Sequence, residues 1–201
     1  TQAMRQPGSA FKLFVYLAAI RRGMTPDSAI LDAPLKLGDW TPENHEGQYA
    51  GRMVPLRDAF ARSSNVAAVR LSEQVGRQNV IRAARDLGVR ADIPNDPTIA
   101  LGTPLMSLLE LTSAYAAVAA GRTPVIPRGL AAEPVYGPFG RPPRPRALDA
   151  RERDALLLML REVVTRGTGT GASLRVPVYG KTGTSQDYRD AWFVGFTGDL
   201  V

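Results

Sequence analysis

A serine and a lysine three positions apart could together carry out nucleophilic catalysis. Ser9 and Lys12 stand where a Pro7-Gly8 turn passes into an almost unbroken apolar run. On a helix this spacing puts both side chains on one face, so that the Lys12 amine comes within hydrogen-bond reach of the Ser9 hydroxyl. The lysine would act as the base for the serine, and the free N–H groups of the helix N-terminus would favour an oxyanion. Taken alone, the pair also fits a helix cap followed by a solvated lysine.

Two further polar groups interrupt apolar segments. Ser63-Ser64-Asn65 separates two predicted helices, where plain capping is the simpler interpretation of the three residues. Lys181 and Gly183 lie on one face of a predicted strand, so a lysine is presented beside a position without a side chain. We expect that position to be open to close approach, and the strand edge to accept an extended peptide.

The elements that must position these groups follow from hydrophobic periodicity and from capping signals. Helices are predicted over residues 10–22, 55–62, 66–75, 79–87, 104–120 and 149–165. Residues 30–37 are predicted as an extended segment and residues 134–136 as a short strand. Two strands around Lys181 and Trp192 are predicted to form an antiparallel hairpin.

Composition limits the classes to which the chain can belong. Its 201 residues are 44% hydrophobic and 22% charged, which suits one globular domain. The net charge of +6 comes from scattered arginines without a nucleic-acid-binding motif, so no nucleic-acid partner is expected. A basic face towards an anionic membrane or polymer is the favoured interpretation of this charge.

Cofactor chemistry finds little support in the sequence. Cysteine is absent and His45 is the single histidine, which excludes thiolate and multi-histidine metal sites. We expect His45 to be solvated in a polar loop, which leaves lysine as the better candidate base. Gly180-Lys181-Thr182 looks like the end of a phosphate-binding loop, but Arg175 stands where that motif needs its first glycine. No metal and no cofactor is therefore predicted.

The three polar groups occur in the order Ser-x-x-Lys, Ser-x-Asn and Lys-Thr-Gly. With its flanks, the chain closely resembles the transpeptidase domain of class A penicillin-binding proteins, the bifunctional peptidoglycan synthases. The matching stretches are residues 6–12, 40–44, 63–71, 108–112, 180–184 and 190–195. The resemblance implies a β-lactamase/DD-transpeptidase-like α/β (α+β) fold, with an antiparallel sheet flanked by helices and a mostly helical lobe. Leu13 departs from the family, which usually has proline after the lysine.

The resemblance also implies roles for the catalytic residues. Ser9 would attack the carbonyl between the last two D-alanines of a peptidoglycan stem peptide. Lys12, kept neutral by burial and by the Lys181 cation, would accept the proton. Ser63 would relay a proton to the departing amine, and the backbone N–H groups of Ser9 and Thr184 would form the oxyanion hole.

The remaining site residues would bind the substrate. Asn65 would hold the substrate amide, and Lys181 would fix the hydrogen-bond network and attract the terminal carboxylate. The Thr182 and Thr184 hydroxyls would bind that carboxylate beside Gly183. All the site residues are expected to converge on one cleft, and β-lactam antibiotics are expected to acylate Ser9.

Alternatives remain open at this stage. A DD-carboxypeptidase or β-lactamase-like hydrolase would pass the acyl group to water, but residues 94–102, where a water-activating glutamate is expected, contain none. A non-catalytic penicillin sensor could keep all three motifs. Residues 1–201 are interpreted as a single, truncated domain that lacks the strands before Ser9 and after Thr197. The parent protein is expected to be membrane-anchored, to face the periplasm and to carry a glycosyltransferase as well.

Overall fold

The computed structural model describes residues 3–127, 144–184 and 191–201. Its α-helices are α1 (Lys12–Arg21), α2 (Leu56–Ala61), α3 (Asn65–Val75), α4 (Arg77–Asp86), α5 (Leu108–Ala120) and α6 (Ala150–Arg166). Its strands are β1 (Met4–Arg5), β2 (Ala29–Asp32), β3 (Arg52–Pro55), β4 (Met106–Ser107), β5 (Arg122–Thr123), β6 (Arg146–Ala147), β7 (Tyr179–Thr184) and β8 (Ala191–Phe196). The predicted strand at 134–136 lies outside the described residues.

Helix α1 is the centre of the core. Every residue from Lys12 to Ile20 is buried, and the helix packs against α3, α4 and α6. A helix that is apolar on all sides must be enclosed by other elements, because no face of it can be left to water. Each large side chain buried here contributes roughly 1.5–3 kcal/mol. The predicted base, Lys12, is the first residue of this helix, and the predicted nucleophile, Ser9, lies in the 3-10 turn Gly8–Phe11 that leads into it.

Strands β7 and β8 form the predicted antiparallel hairpin. Lys181 is the partner of Val194, and Gly183 is the partner of Trp192. Helix α6 packs against β7, and α5 packs against β8. The other ladders are β1 with β4, β2 with β3, and β5 with β6, each antiparallel and two-stranded. The hairpin prediction is confirmed. Only the start of the extended segment predicted at 30–37 is a strand, β2, and Leu37 forms an isolated bridge with Trp40 instead.

Most predicted helices are found within a few residues of their expected bounds, but the start of α5 was predicted wrongly. Proline at 104 suggested a helix start there, whereas the helix begins at Leu108. Ser107 accepts from the Glu110 backbone N–H and the Glu110 carboxylate accepts from the Ser107 N–H, which together form a capping box. Ser107 is also held in β4 by pairing with Met4. Tertiary pairing and the capping box therefore set the boundary.

The described residues contain neither a membrane-spanning helix nor a metal-binding cluster. None of their helices combines the length and apolar character that a membrane crossing requires. Within the same residues, no group of three or more histidine, aspartate or glutamate side chains is arranged to hold a metal ion.

Candidate active site

The turn that carries Ser9 is pressed against β7 without any intervening side chains. Gly8 has φ = +54°, and a Cβ at this position would lie 2.2 Å from the Thr184 carbonyl oxygen. A Cβ on Gly183 would lie 2.3 Å from the Pro7 carbonyl oxygen. Glycine is needed at both positions because only hydrogen fits between these backbones. The two segments that would supply the oxyanion-hole N–H groups are thereby fixed against each other.

This packing corrects one expectation. Gly183 was expected to leave an open position beside Lys181, where a ligand could approach. The structure fills that position with the backbone of the Ser9 turn, and Gly183 is buried. This face of β7 is therefore an internal contact, because the turn that carries Ser9 packs against it.

The Lys12 amine is buried and reaches the N-terminus of α3. It donates to the Ser63 carbonyl oxygen at 2.6 Å, to Asn65 Oδ1 at 2.7 Å and to Ser63 Oγ at 3.3 Å. The predicted hydrogen bond to Ser9 is not among its contacts with the described residues. Carbonyl and amide oxygens are better acceptors than a hydroxyl, and the long lysine stem reaches across the core to them. Catalytic hydrogen bonds often tighten only when substrate binds.

Ser63 occupies a strained turn between α2 and α3. Its φ of +59° is left-handed, a conformation that costs a non-glycine residue on the order of 1–3 kcal/mol. In this turn its hydroxyl accepts from Lys181 Nζ at 2.8 Å as well as from Lys12. The strain therefore presents the hydroxyl to two amines, and such strain is often found where a side chain must be aimed.

Burial changes the charge state of both lysines. It lowers the pKa of Lys12 well below its usual value, and the neighbouring Lys181 ammonium lowers the pKa of Lys12 further. Burial also lowers the pKa of Lys181 to about 7. The Phe60 ring centroid lies 5.8 Å from Lys181 Nζ, close enough for a cation–π contact. The lowered pKa favours the neutral form of Lys12, and a neutral amine has a lone pair that can accept a proton.

A cleft of about 550 Å³ opens above these lysines. The residues that line it are Gln6, Gly8, Ser9, Glu43, Asn44, His45, Arg62, Ser63, Asn65, Leu101, Thr103, Thr168, Thr182 and Thr184. The structure thus brings together the side chains predicted at Ser9, Ser63, Asn65, Thr182 and Thr184. The amines of Lys12 and Lys181 contact this group from the buried side.

Several lining residues were not predicted. Thr168 belongs to a Gly-Thr run at residues 167–171, and its hydroxyl lies 2.6 Å from the Thr182 hydroxyl. Glu43 and Arg62 add a carboxylate and a guanidinium to the rim. His45, expected to be solvated in a loop, is exposed but lines the cleft from a 3-10 turn. Their positions depend on contacts distant in sequence, which local patterns do not report.

Fold and site together have the arrangement of a serine acyltransferase. Residues 1–199 match the family model described as the penicillin binding protein transpeptidase domain. The chain belongs to this family, which confirms the predicted family and its enzyme class.

Relatives match over the whole chain. Penicillin-binding protein 1A of Neisseria lactamica is 36% identical over 222 aligned positions, which cover 100% of this chain and 27% of the relative. Penicillin-binding protein 1A of Rickettsia typhi is 32% identical and is covered to 30% of its length. The chain therefore spans about a third or less of these curated relatives.

Solved structures confirm the predicted fold. Penicillin-binding protein 1A from Haemophilus influenzae superposes with a TM-score of 0.86 at 23% identity, over 100% of this chain and 37% of that one. Penicillin-binding protein A from Mycobacterium tuberculosis, solved as an imipenem acyl-enzyme complex, gives a TM-score of 0.75 at 22% identity. The superposition covers 96% of this chain and 51% of that chain.

Proposed function

We propose that this chain is a DD-transpeptidase domain that cross-links peptidoglycan stem peptides through an acyl-enzyme on Ser9. The observation that carries the proposal is the contact of two buried lysines with Ser63 at the floor of the cleft that Ser9 lines. A buried amine of lowered pKa is the base that a serine nucleophile needs, and both lysines are such amines.

Acylation begins when Ser9 Oγ attacks the carbonyl carbon between the last two D-alanines. The proton of Ser9 passes to the neutral Lys12 amine as the new C–O bond forms. The C–N bond to the terminal D-alanine then breaks, and the leaving amine takes a proton relayed through Ser63. Ser63 suits this step because its hydroxyl contacts both Lys12 and Lys181.

Transfer to the acceptor reverses these proton movements. An amine of a second stem peptide attacks the acyl carbonyl and loses its proton to the Ser63 and Lys12 pair. The ester C–O bond breaks, and Ser9 recovers its proton. The new amide bond is the cross-link, and the backbone N–H groups of Ser9 and Thr184 would stabilise the oxyanion in both halves.

Substrate binding would use the polar walls of the cleft. The terminal carboxylate would be held by the Thr182 and Thr184 hydroxyls, with the Lys181 ammonium behind them. Asn65 Nδ2 donates one hydrogen to the Glu43 carbonyl oxygen at 2.8 Å. An amide nitrogen carries two hydrogens, so the second is left for the substrate backbone.

β-Lactams would react with the same serine, because the strained ring amide takes the place of the D-alanine peptide bond. The acyl-enzyme described for the Mycobacterium tuberculosis relative supports this. We further propose that the parent protein is membrane-anchored, works on the periplasmic face and also carries a glycosyltransferase. The domain in residues 1–201 would then be one part of it.

The direct test is covalent labelling of the complete protein with a fluorescent penicillin. Ser9→Ala should abolish labelling, whereas Ser173→Ala, which changes an exposed serine away from the cleft, should label like the wild type. Persistent labelling of Ser9→Ala would identify a different nucleophile and overturn the proposal.

A second candidate function is hydrolysis, because Glu43 places a carboxylate at the rim of the cleft. Such a group could activate water and make the protein a DD-carboxypeptidase. With a polymerised stem-peptide substrate, mass spectrometry would count cross-linked dimers against trimmed monomers. Mostly dimers support the transpeptidase. Mostly trimmed monomers that disappear in Glu43→Gln support the hydrolase, and acylation without peptide turnover supports a sensor.

A further inference from the structure

A buried polar cluster of Asp32, Asn44 and Ser64 lies behind the Ser63–Asn65 turn. These three side chains are 7%, 9% and 6% exposed, respectively. Asn44 Nδ2 donates to Asp32 Oδ1 at 2.9 Å, and Ser64 Oγ donates to the same oxygen at 2.9 Å. The Ala50 backbone N–H donates to Asp32 Oδ2 at 3.1 Å. The acylation chemistry proposed above uses none of these three side chains.

Asn44 connects this cluster to the backbone of the site. Its Oδ1 accepts from the Asn65 N–H at 2.7 Å and from the Val66 N–H at 3.1 Å. Ser64 already caps the helix locally, since its hydroxyl accepts from the Ala67 N–H. All the free N–H groups at the start of α3 are therefore satisfied, two of them by a side chain from a distant loop.

The Asp32 carboxylate and the Gln48 carbonyl oxygen together determine which way Asn44 points, since Asn44 Nδ2 donates to both, at 2.9 and 2.8 Å. An ionised carboxylate can only accept hydrogen bonds, so Asn44 must turn its NH₂ group towards Asp32 and its oxygen towards α3. No lysine or arginine among the described residues pairs with Asp32, and a buried carboxylate without a cation is unfavourable for stability. A neutral cap would hold the helix equally well. The charge of Asp32 therefore contributes to the orientation of the Asn44 amide and not to the strength of the cap.

The same loop also holds the Asn65 side chain. Glu43, the neighbour of Asn44, accepts from Asn65 Nδ2 through its carbonyl oxygen. Asn65 Oδ1 is then left facing Lys12 Nζ at 2.7 Å. Residues 43 and 44 thus fix both the backbone and the side chain of Asn65, next to a Ser63 held at φ = +59°.

We infer that Asp32 and Asn44 are positioning residues for acylation: Asp32 orients the Asn44 amide, and Asn44 holds the turn that aims Ser63 and Asn65 at Ser9. This inference rests on the proposed function, since it assigns a role within the same reaction. Neither residue touches the reacting atoms. Their effect is exerted through the strained turn, whose displacement by a fraction of an ångström would misalign the proton relay.

The test separates the limiting rate of penicillin acylation from the strength of non-covalent binding in the complete protein. Asn44→Ala should lower the limiting rate on the order of 100-fold. The matched control is Asp149→Ala, which removes the cap of α6 that Asp149 forms with the Glu152 N–H, away from the cleft. It should lose a similar amount of Tm while its limiting rate stays within about twofold of the wild type.

An exchanged pair provides the rescue. Asp32→Asn alone removes the acceptor-only group and should slow acylation. The double variant Asp32→Asn/Asn44→Asp restores one donor facing one carboxylate but loses the Asn44 hydrogen bond to the Gln48 carbonyl oxygen, so it should recover part of the rate that Asp32→Asn loses. Should Asn44→Ala not fold, Asp32→Asn and the exchanged pair decide the question by themselves.

The outcomes distinguish this inference from the proposed function. A wild-type protein that is not acylated at Ser9 would refute the proposed function. Normal acylation of the wild type together with normal limiting rates in Asn44→Ala or Asp32→Asn would refute only the positioning role. A loss of rate in the single variants that the exchanged pair does not reduce would also refute it.

Discussion

Lys12 and Lys181 share a hydrogen-bond acceptor: both amines contact the Ser63 hydroxyl, at 3.3 and 2.8 Å. Two ammonium groups so close would repel each other in a buried site, so at least one of them loses its proton easily. Burial and this repulsion both favour a neutral Lys12, whose amine contacts Ser63 and Asn65. The Ser63 hydroxyl is thus a shared acceptor for two lysines to which we assign different roles.

Replacement of Lys12 tests directly whether this lysine acts as the base. Lys12→Met should reduce penicillin acylation by at least about 100-fold, because general-base catalysis contributes 10²–10⁴-fold. The chain has three lysines, and Lys36 is exposed, so Lys36→Met is the natural control and should acylate normally. The rate of fluorescent penicillin labelling is the measurement. Equal rates in the two variants would rule out Lys12 as the base.

The pH dependence of penicillin binding should follow the charge of Lys181. Because burial lowers its pKa to about 7, Lys181 loses its charge as the pH rises above 7. The affinity for a carboxylate-bearing penicillin should fall over the same range. In Lys181→Arg the guanidinium stays protonated, so the fall between pH 7 and 9 should disappear. His45→Gln, which removes another titratable side chain of the cleft, should retain it.

Stability should also depend on pH through the buried lysines. Between the lowered folded pKa values and the unfolded value of about 10.4, the unfolded chain binds more protons, so the free energy of unfolding rises with pH. One lysine can give a slope of up to about 1.4 kcal/mol per pH unit. Urea denaturation from pH 7 to 10 measures the slope, which should be smaller in Lys181→Met. A slope of opposite sign would contradict the burial argument.

The contact between the Ser9 turn and β7 predicts the effect of one added methyl group. In Gly183→Ala the new Cβ would lie 2.3 Å from the Pro7 carbonyl oxygen, so turn and strand must separate. We expect a loss of about 1–3 kcal/mol in stability and a much slower acylation. Gly171→Ala is the control, since no atom lies within 4 Å of its added Cβ. A fully active Gly183→Ala would show that this contact does not align the site.

We expect the loss of the Thr168 hydroxyl to weaken penicillin binding and not to slow acylation. This hydroxyl lies 2.6 Å from that of Thr182, and both residues line the cleft. Thr168→Val should weaken non-covalent penicillin binding by roughly 3- to 10-fold, as expected for one hydrogen bond, with little change in the limiting acylation rate. Thr170→Val, at a nearby exposed position, is the control. A change in the limiting rate alone would assign Thr168 a different role.

Local patterns predicted the parts of this fold that depend on local interactions. The apolar run after Ser9 predicted the buried helix α1, and β-rich residues on both sides of a polar loop predicted the β7–β8 hairpin. Where two local signals competed, as proline at 104 against the capping box at Ser107, pairing with β1 decided the outcome. That pairing joins segments about a hundred residues apart, and periodicity carries no information about it.

Local sequence patterns also predicted the candidate site only in part. The sequence placed Lys12 beside Ser9 from their spacing, but the amine's hydrogen bonds go to Ser63 and Asn65, which are 51 and 53 positions away. The Asp32 cluster was missed altogether, because an aspartate at the end of a short strand resembles any solvated carboxylate. Its burial depends on a loop that folds over it. Motif order predicted which residues meet, and tertiary contacts determine which atoms touch.

The long sequence separations of these contacts also concern the route by which the chain folds. Ser63 is 51 positions from Lys12 and 118 from Lys181, so the floor of the cleft closes only after all three segments have docked. Contacts of such separation form late, since the entropy of closing large loops must be overcome first. No partly folded species would hold both amines on one hydroxyl. The rate of covalent penicillin labelling during refolding would therefore report the last step of folding, because only molecules whose core has closed would be labelled.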